Sequence, residues 1–227
     1  MSLASRSVLS MAAAVLVMAH PAPAAAQPPG STQPPAVEPA YPPLTGPDAE
    51  AVRDVVRQYQ AAIQRRDGAA AARLVSRDTR AYYGRIRDLA VSATEEQVRA
   101  APLMDRITIL LYRHRTPPAE LRALAADQAF AHTISAGWVT ATEGEELASG
   151  SEVFGEGDRA ILRYDGDTHF VREDGAWRWD MMPLIQAANA EMEEGMASRE
   201  EQDEFAMFVL KQSDGRDPSP DIWQPLP

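Results

Sequence analysis

Three histidines follow residue 26, at positions 114, 132 and 169, and none stands in the His-x-x-x-His or Glu-x-x-His spacing that sets two ligands on one helix face. The sequence therefore predicts no metal centre. Cysteine is absent, which removes disulfides, thiolate nucleophiles and zinc-thiolate sites, and Lys211 is the single lysine, so Schiff-base chemistry has one position open to it. No Gly-x-Ser-x-Gly elbow, phosphate loop or dinucleotide fingerprint occurs, and no cofactor is implied. What remains is acid-base work by tyrosine and carboxylate, in which a phenol polarises a carbonyl and a carboxylate moves a proton. The residues expected to point into a pocket are Tyr59, Tyr82, Tyr83, Asp105, Tyr112, Trp177 and Trp179. On a regular apolar stripe, as at Tyr59, the ordinary outcome is a core tyrosine, and helical rotation can place Asp105 on a wet side with Arg106. His169 and Asp180 resemble a base and its orienter, but strand pairing sets both on a charged face beside Arg178, where a solvated surface pair is the preferred reading.

The elements that must position these residues read as helices first and a meander afterwards. Between Pro47 and Gly68, the residues Val52, Val55, Val56, Tyr59, Ala62 and Ile63 recur at the spacing of one helix face. Asp67 and Gly68 open a short alanine-rich helix through Leu74 and Val75, and Tyr82 and Tyr83 follow in a stretch read as a first strand. Thr94 with Gln97 forms a capping box, Pro102 begins a helix to Arg115, and a further helix runs from Ala119 to about His132. After Gly144 the period becomes alternating, with strands at Glu145 to Phe154, Arg159 to Tyr164, Thr168 to Glu173 and Ala176 to Met182. A two-residue turn at Asp174 and Gly175 sets Arg172 opposite Trp177, Phe170 opposite Trp179 and Thr168 opposite Met181 on one side, with Val171 opposite Arg178 and His169 opposite Asp180 on the other. The fold class is α+β, with N-terminal helices packed on the aromatic face of a curved antiparallel sheet.

The two-helix start closed by Asp67 and Gly68, the Tyr82 and Tyr83 stretch, an intervening helix and a meander ending in Arg172-Glu173-Asp174-Gly175-Ala176-Trp177-Arg178-Trp179 resemble the nuclear-transport-factor-two-like superfamily over about residues 48 to 185. That superfamily includes ketosteroid isomerase and polyketide cyclase-like proteins beside many non-enzymatic members. The resemblance implies a cone of sheet wrapped round helices, with a pocket at the open end. It carries no catalytic motif, and the long helical stretch between Thr94 and Trp138 departs from the usual pattern. Fold does not carry function across such a group.

Residues 1–26 read as a secretory signal peptide: Arg6, an apolar run from Val8 to Ala19 of about a dozen residues, and Ala24, Ala25 and Ala26 before Gln27. The run is short of the ~20 residues a membrane span requires, so no integral membrane segment is expected after cleavage, and the destination is periplasmic or secreted. Residues 27–47 hold eight prolines in 21 positions and read as a linker. A cone-shaped domain is expected over 48–195, a C-terminal amphipathic helix over 196–211 and a proline-containing tail over 212–227. The 22 basic residues against 33 acidic ones give a net charge of −11, which argues against a nucleic-acid partner. The acidic run near residue 200 lacks a calcium loop. Phe205, Phe208 and Val209 form a short stripe that with Trp223 is a candidate surface for a protein partner or a homodimer. The sequence thus favours an exported non-catalytic protein that binds a small hydrophobic ligand or a protein partner, through its pocket or its C-terminal helix. The alternative is a small cofactor-independent isomerase, cyclase or dehydratase using a tyrosine and a carboxylate.

Overall fold

The structure is a computed structural model that describes residues 41–140, 148, 151–164, 166–196 and 198–227. Residues 1–26, where a signal peptide is expected, residues 27–40 of the expected linker and most of the 145–151 portion of the expected first strand lie outside the described residues. The architecture is α+β, with helices before and after a four-stranded antiparallel sheet of order β1-β2-β3-β4.

Helix α1 (Gly46–Gln64) carries Pro47 in its first turn and buries Val52, Val55, Val56, Tyr59, Ala62 and Ile63, the stripe its periodicity predicts. Arg66 turns the chain at φ 53°, and Asp67 caps α2 (Gly68–Ala72) by accepting from Ala70 N at 2.9 Å. The expected strand at Tyr82 and Tyr83 is instead helix α3 (Arg77–Ser92). Two tyrosines raise local strand propensity, but the Ser76 hydroxyl accepts from Thr79 N, and Tyr82, Ile86 and Ala90 recur every fourth residue on a buried face. The Thr94 and Gln97 capping box starts α4 (Glu95–Ala100), and α5 (Leu103–Arg115) follows Pro102.

The single helix expected over 119–132 is broken into α6 (Pro118–Ala123), a 3-10 turn (Ala126–Gln128) and α7 (Ala129–Ser135). Gly84 explains where the chain lies at that break. A Cβ there would stand 3.0 Å from the Ala126 carbonyl oxygen, so the absent side chain lets the turn rest directly on α3.

The strands are β1 (Glu152–Glu156), β2 (Arg159–Arg163), β3 (Asp167–Glu173) and β4 (Ala176–Asp180). Asp174 and Gly175 both hold positive φ, 51° and 77°, which suits a two-residue hairpin turn. The register follows: Arg172 opposite Trp177, Phe170 opposite Trp179, Val171 opposite Arg178 and His169 opposite Asp180. Val153, Leu162, Phe170 and Trp177 pack in one core with Ala49, Val52, Val55 and Val56, so α1 covers the aromatic face. At the outer edge of β4, Trp179 bridges Val75, with Trp179 N donating to the Leu74 carbonyl at 2.8 Å.

Strand β4 ends at Asp180, so the expected pairing of Met181 with Thr168 is absent. Thr79 Oγ1 accepts from Met181 N at 3.0 Å and Asp180 Oδ1 from Met182 N at 3.2 Å, which diverts the chain into α8 (Met182–Gly195). Asp180 also lies 3.1 Å from Ser76 Oγ. It is half-buried at the junction of α3, β4 and α8, and not the solvated partner of His169 that the sequence suggests. Asp180→Ala is therefore expected to lower the unfolding free energy by about 1–2 kcal/mol in a urea melt, more than an exposed ion pair contributes. A change below about 0.5 kcal/mol would mean that these bonds contribute nothing net.

Helix α9 (Arg199–Asp214) is capped by Ser198 and stopped by Gly215 at φ 76°. With the 3-10 turn Pro220–Trp223 it packs into the core formed by α3, α5 and α8. No helix among the described residues is long and apolar enough to cross a membrane.

Candidate functional site

Two adjoining cavities lie where α1, α3, α5, α7, the end of β4 and α8 meet. The larger, about 60 Å³, is walled by Tyr59, Tyr83, Phe130, Trp179, Met181 and Ile185, with Thr133, Ile134, Val139 and Leu184 completing it. The smaller, about 40 Å³, is walled by Tyr83, Thr108, Leu111, Arg115, Thr133, Trp138 and Val139. Tyr83, Thr133 and Val139 belong to both. The rings interlock by edges: Tyr59 meets Trp179 with centroids 4.8 Å apart, and Tyr83 meets Phe130 at 5.1 Å. Such contacts hold the walls in place without filling the space between them.

Burial pushes the phenols of Tyr59 and Tyr83 up, Tyr83 to about 12. Both stay protonated at neutral pH, and neither makes a hydrogen bond among the described residues. The Thr133 and Thr108 hydroxyls donate to the Phe130 and Met104 carbonyls, at 2.8 and 2.7 Å. Of the hydroxyls lining the larger cavity, the two phenols are thus the ones whose donors remain unspent.

Of the seven pocket residues expected from sequence, Tyr59, Tyr83 and Trp179 come together in the larger cavity. Tyr82 and Asp105 meet each other instead, with Tyr82 Oη donating to Asp105 Oδ1 at 2.9 Å. They line neither cavity, and burial followed by the neighbouring Asp105 charge raises Tyr82 well above the usual phenol range, so the phenol is a donor and not a base. Tyr112 Oη donates to the Ala129 carbonyl at 2.8 Å, and Trp177 lies under α1.

No family model, curated protein or solved structure matches this chain.

The candidate partner residues are largely taken up by the chain itself. Val209 is buried and Phe205 partly so against α5, Trp223 lies under the Arg99 guanidinium at 4.1 Å, and Phe208 alone is strongly exposed, at 49%. His114 Nε2 lies 2.9 Å from Asp214 Oδ1. Burial alone would raise the Asp214 carboxyl, but hydrogen bonds from Arg216 and His114 hold it down at about 2. His132 bonds Thr116 at 3.1 Å, and burial lowers its pKa.

Sequence reasoning misses the arginines of α5. Arg106 is 2% exposed, where the sequence suggests a wet side. It donates to Asp203 Oδ1 and to the Arg99 carbonyl, each at 2.7 Å, which ties α9 to the last turn of α4. Arg115 reaches the wall of the smaller cavity. The spacing of Arg106 and Arg113, seven apart like Leu103 and Leu110, is the signal that could have placed these two arginines on a buried face.

Proposed function

We propose that this is an exported, non-catalytic protein that holds a small, largely apolar molecule in the cavity around Tyr83. The observation that carries the reading is the pair of phenol hydroxyls, Tyr59 and Tyr83, left without partners in an aromatic enclosure. A hydrophobic cavity with a few convergent polar groups is the usual form of a small-molecule site. The volume limits the occupant to a few carbon atoms, far below the ~300 Å³ of a drug-sized site. Among the described residues no carboxylate joins the tyrosines at that space, which favours binding over isomerase chemistry. The signal-like leader supplies the periplasmic or secreted part of the proposal, and the superfamily resemblance belongs to it without adding a residue to the site.

The probe is 1-butanol, observed by saturation-transfer NMR. Val139 lines both cavities and is half-buried, so Val139→Trp should close them with little disturbance of the core. Transfer to butanol is expected in the parent protein and is expected to vanish in Val139→Trp. Equal transfer in both, or none in the parent, would refute the reading.

A further inference from the structure

Arg115 stands at the C-terminal end of α5, half-buried, among the residues lining the smaller cavity, with its guanidinium 5.3 Å from the centre of the ring of Trp138, another lining residue. It makes no hydrogen bond or ion pair among the described residues. The nearest negative charge acting on it is Asp214, whose carboxylate is already engaged by His114 at 2.9 Å and by Arg216. Burial accordingly lowers the pKa of Arg115, against a partial compensation from Asp214. The two neighbouring arginines of α5 are extensively engaged: Arg106 has Asp203 and two carbonyls, and Arg113 has five carbonyls. Arg115, on the same helix, has no such partner among the described residues and lines a cavity.

We infer that the ligand of this cavity is a short-chain monocarboxylate, its carboxylate held by Arg115 in the smaller lobe and its alkyl tail passing Tyr83 into the larger one. This rests on the proposed binding role and names the ligand class. A guanidinium presents parallel donors matched to the two oxygens of a carboxylate. About 40 Å³ suits that planar group better than a phosphate with its further oxygens, and the larger lobe offers the tail Phe130, Trp179, Met181 and Ile185. Trp138 holds the guanidinium plane by a cation-π contact. In a chain of net charge −11, a local unpaired cation is what would let an anion enter.

The test compares butyrate with 1-butanol, which share a four-carbon chain and differ in charge. Butyrate is expected to bind about tenfold more tightly than butanol, the scale of a charge-assisted hydrogen bond in place of a neutral one. That preference is expected to disappear in Arg115→Gln and to persist, reduced, in Arg115→Lys, with folding of both variants checked by circular dichroism. If butanol binds and butyrate binds no more tightly, or if Arg115→Gln keeps the preference, the carboxylate assignment is wrong and the apolar cavity reading stands. If neither probe binds, both are wrong.

Discussion

Replacing Arg113 by methionine is expected to lower the unfolding free energy by about 3–5 kcal/mol and to release the chain from Pro220 onward. The side chain is 7% exposed and has no carboxylate partner. Its Nε donates to the Ala90 carbonyl at 2.8 Å, its Nη2 to Ala93 at 2.6 Å and Leu89 at 3.3 Å, and its Nη1 to Trp223 at 2.7 Å and Ile222 at 3.2 Å. Leu89 and Ala90 belong to the last turn of α3 and Ala93 caps it, at the end where the helix dipole favours a cation; the Leu89 carbonyl also accepts from Ala93 N at 2.8 Å, so Ala90 and Ala93 are the acceptors that depend most on the arginine. Ile222 and Trp223 belong to the C-terminal turn. Burial holds the guanidinium down at about 10, the mark of a charge removed from water and balanced by dipoles alone. Methionine retains much of the apolar stem but leaves the acceptors without these donors beneath the tail. A urea melt measures the first effect. Hydrogen exchange at Leu226, whose amide donates to the Val91 carbonyl at 3.1 Å, measures the second. A loss under about 1 kcal/mol with Leu226 still protected would show that the tail holds without the arginine.

The same arginine marks where sequence reading stopped. The hairpin register was legible because Asp-Gly between alternating strands admits few turn geometries, and a period of two then fixes every face. Helix α1 was legible because its apolar stripe from Val52 to Ile63 is regular over about three turns and preceded by Pro47. Tyr82 and Tyr83 misled because strand propensity is a local preference, whereas the Ser76 cap and the four-residue recurrence of Tyr82, Ile86 and Ala90 act together over a whole helix. Adjacent helical positions diverge by about 100°. Tyr83 therefore reaches the cavity while Tyr82 turns to Asp105, a separation that an assignment to a strand hides. Arg106, Arg113 and Arg115 were passed over because a charged residue on a helix is normally solvated. Their burial depends on α9 and the tail folding back over α5, a long-range contact with no local signature.

Alkaline pH is expected to unfold the protein cooperatively. Tyr59, Tyr82, Tyr83 and Tyr112 all have pKa values raised above 10.0, burial being the largest cause for each. Below pH 10 the phenols are protonated in folded and unfolded chains alike, and their stabilising share is fully present. Above it the unfolded phenols ionise while the folded ones do not, so the unfolded chain binds fewer protons and stability falls. The fall continues until pH passes the folded value, about 12 for Tyr83. Each phenol contributes up to about 1.4 kcal/mol per pH unit, so four remove about 5 kcal/mol per unit. Arg113 works the other way, since its folded value near 10 lies below 12.5 and it favours the folded chain as pH rises through that window; Arg106 and Arg115 act in the same sense. The four tyrosines outnumber the three arginines, so a typical domain stability of about 5–15 kcal/mol is expected to fall steadily as pH rises above 10. Phenolate absorbance and circular dichroism followed together should change in one transition, and Tyr83→Phe should flatten the decline by up to about 1.4 kcal/mol per pH unit. If these phenols instead ionise gradually while the dichroism stays native, they are open to solvent, and the enclosed cavity that Tyr59 and Tyr83 define does not exist in solution.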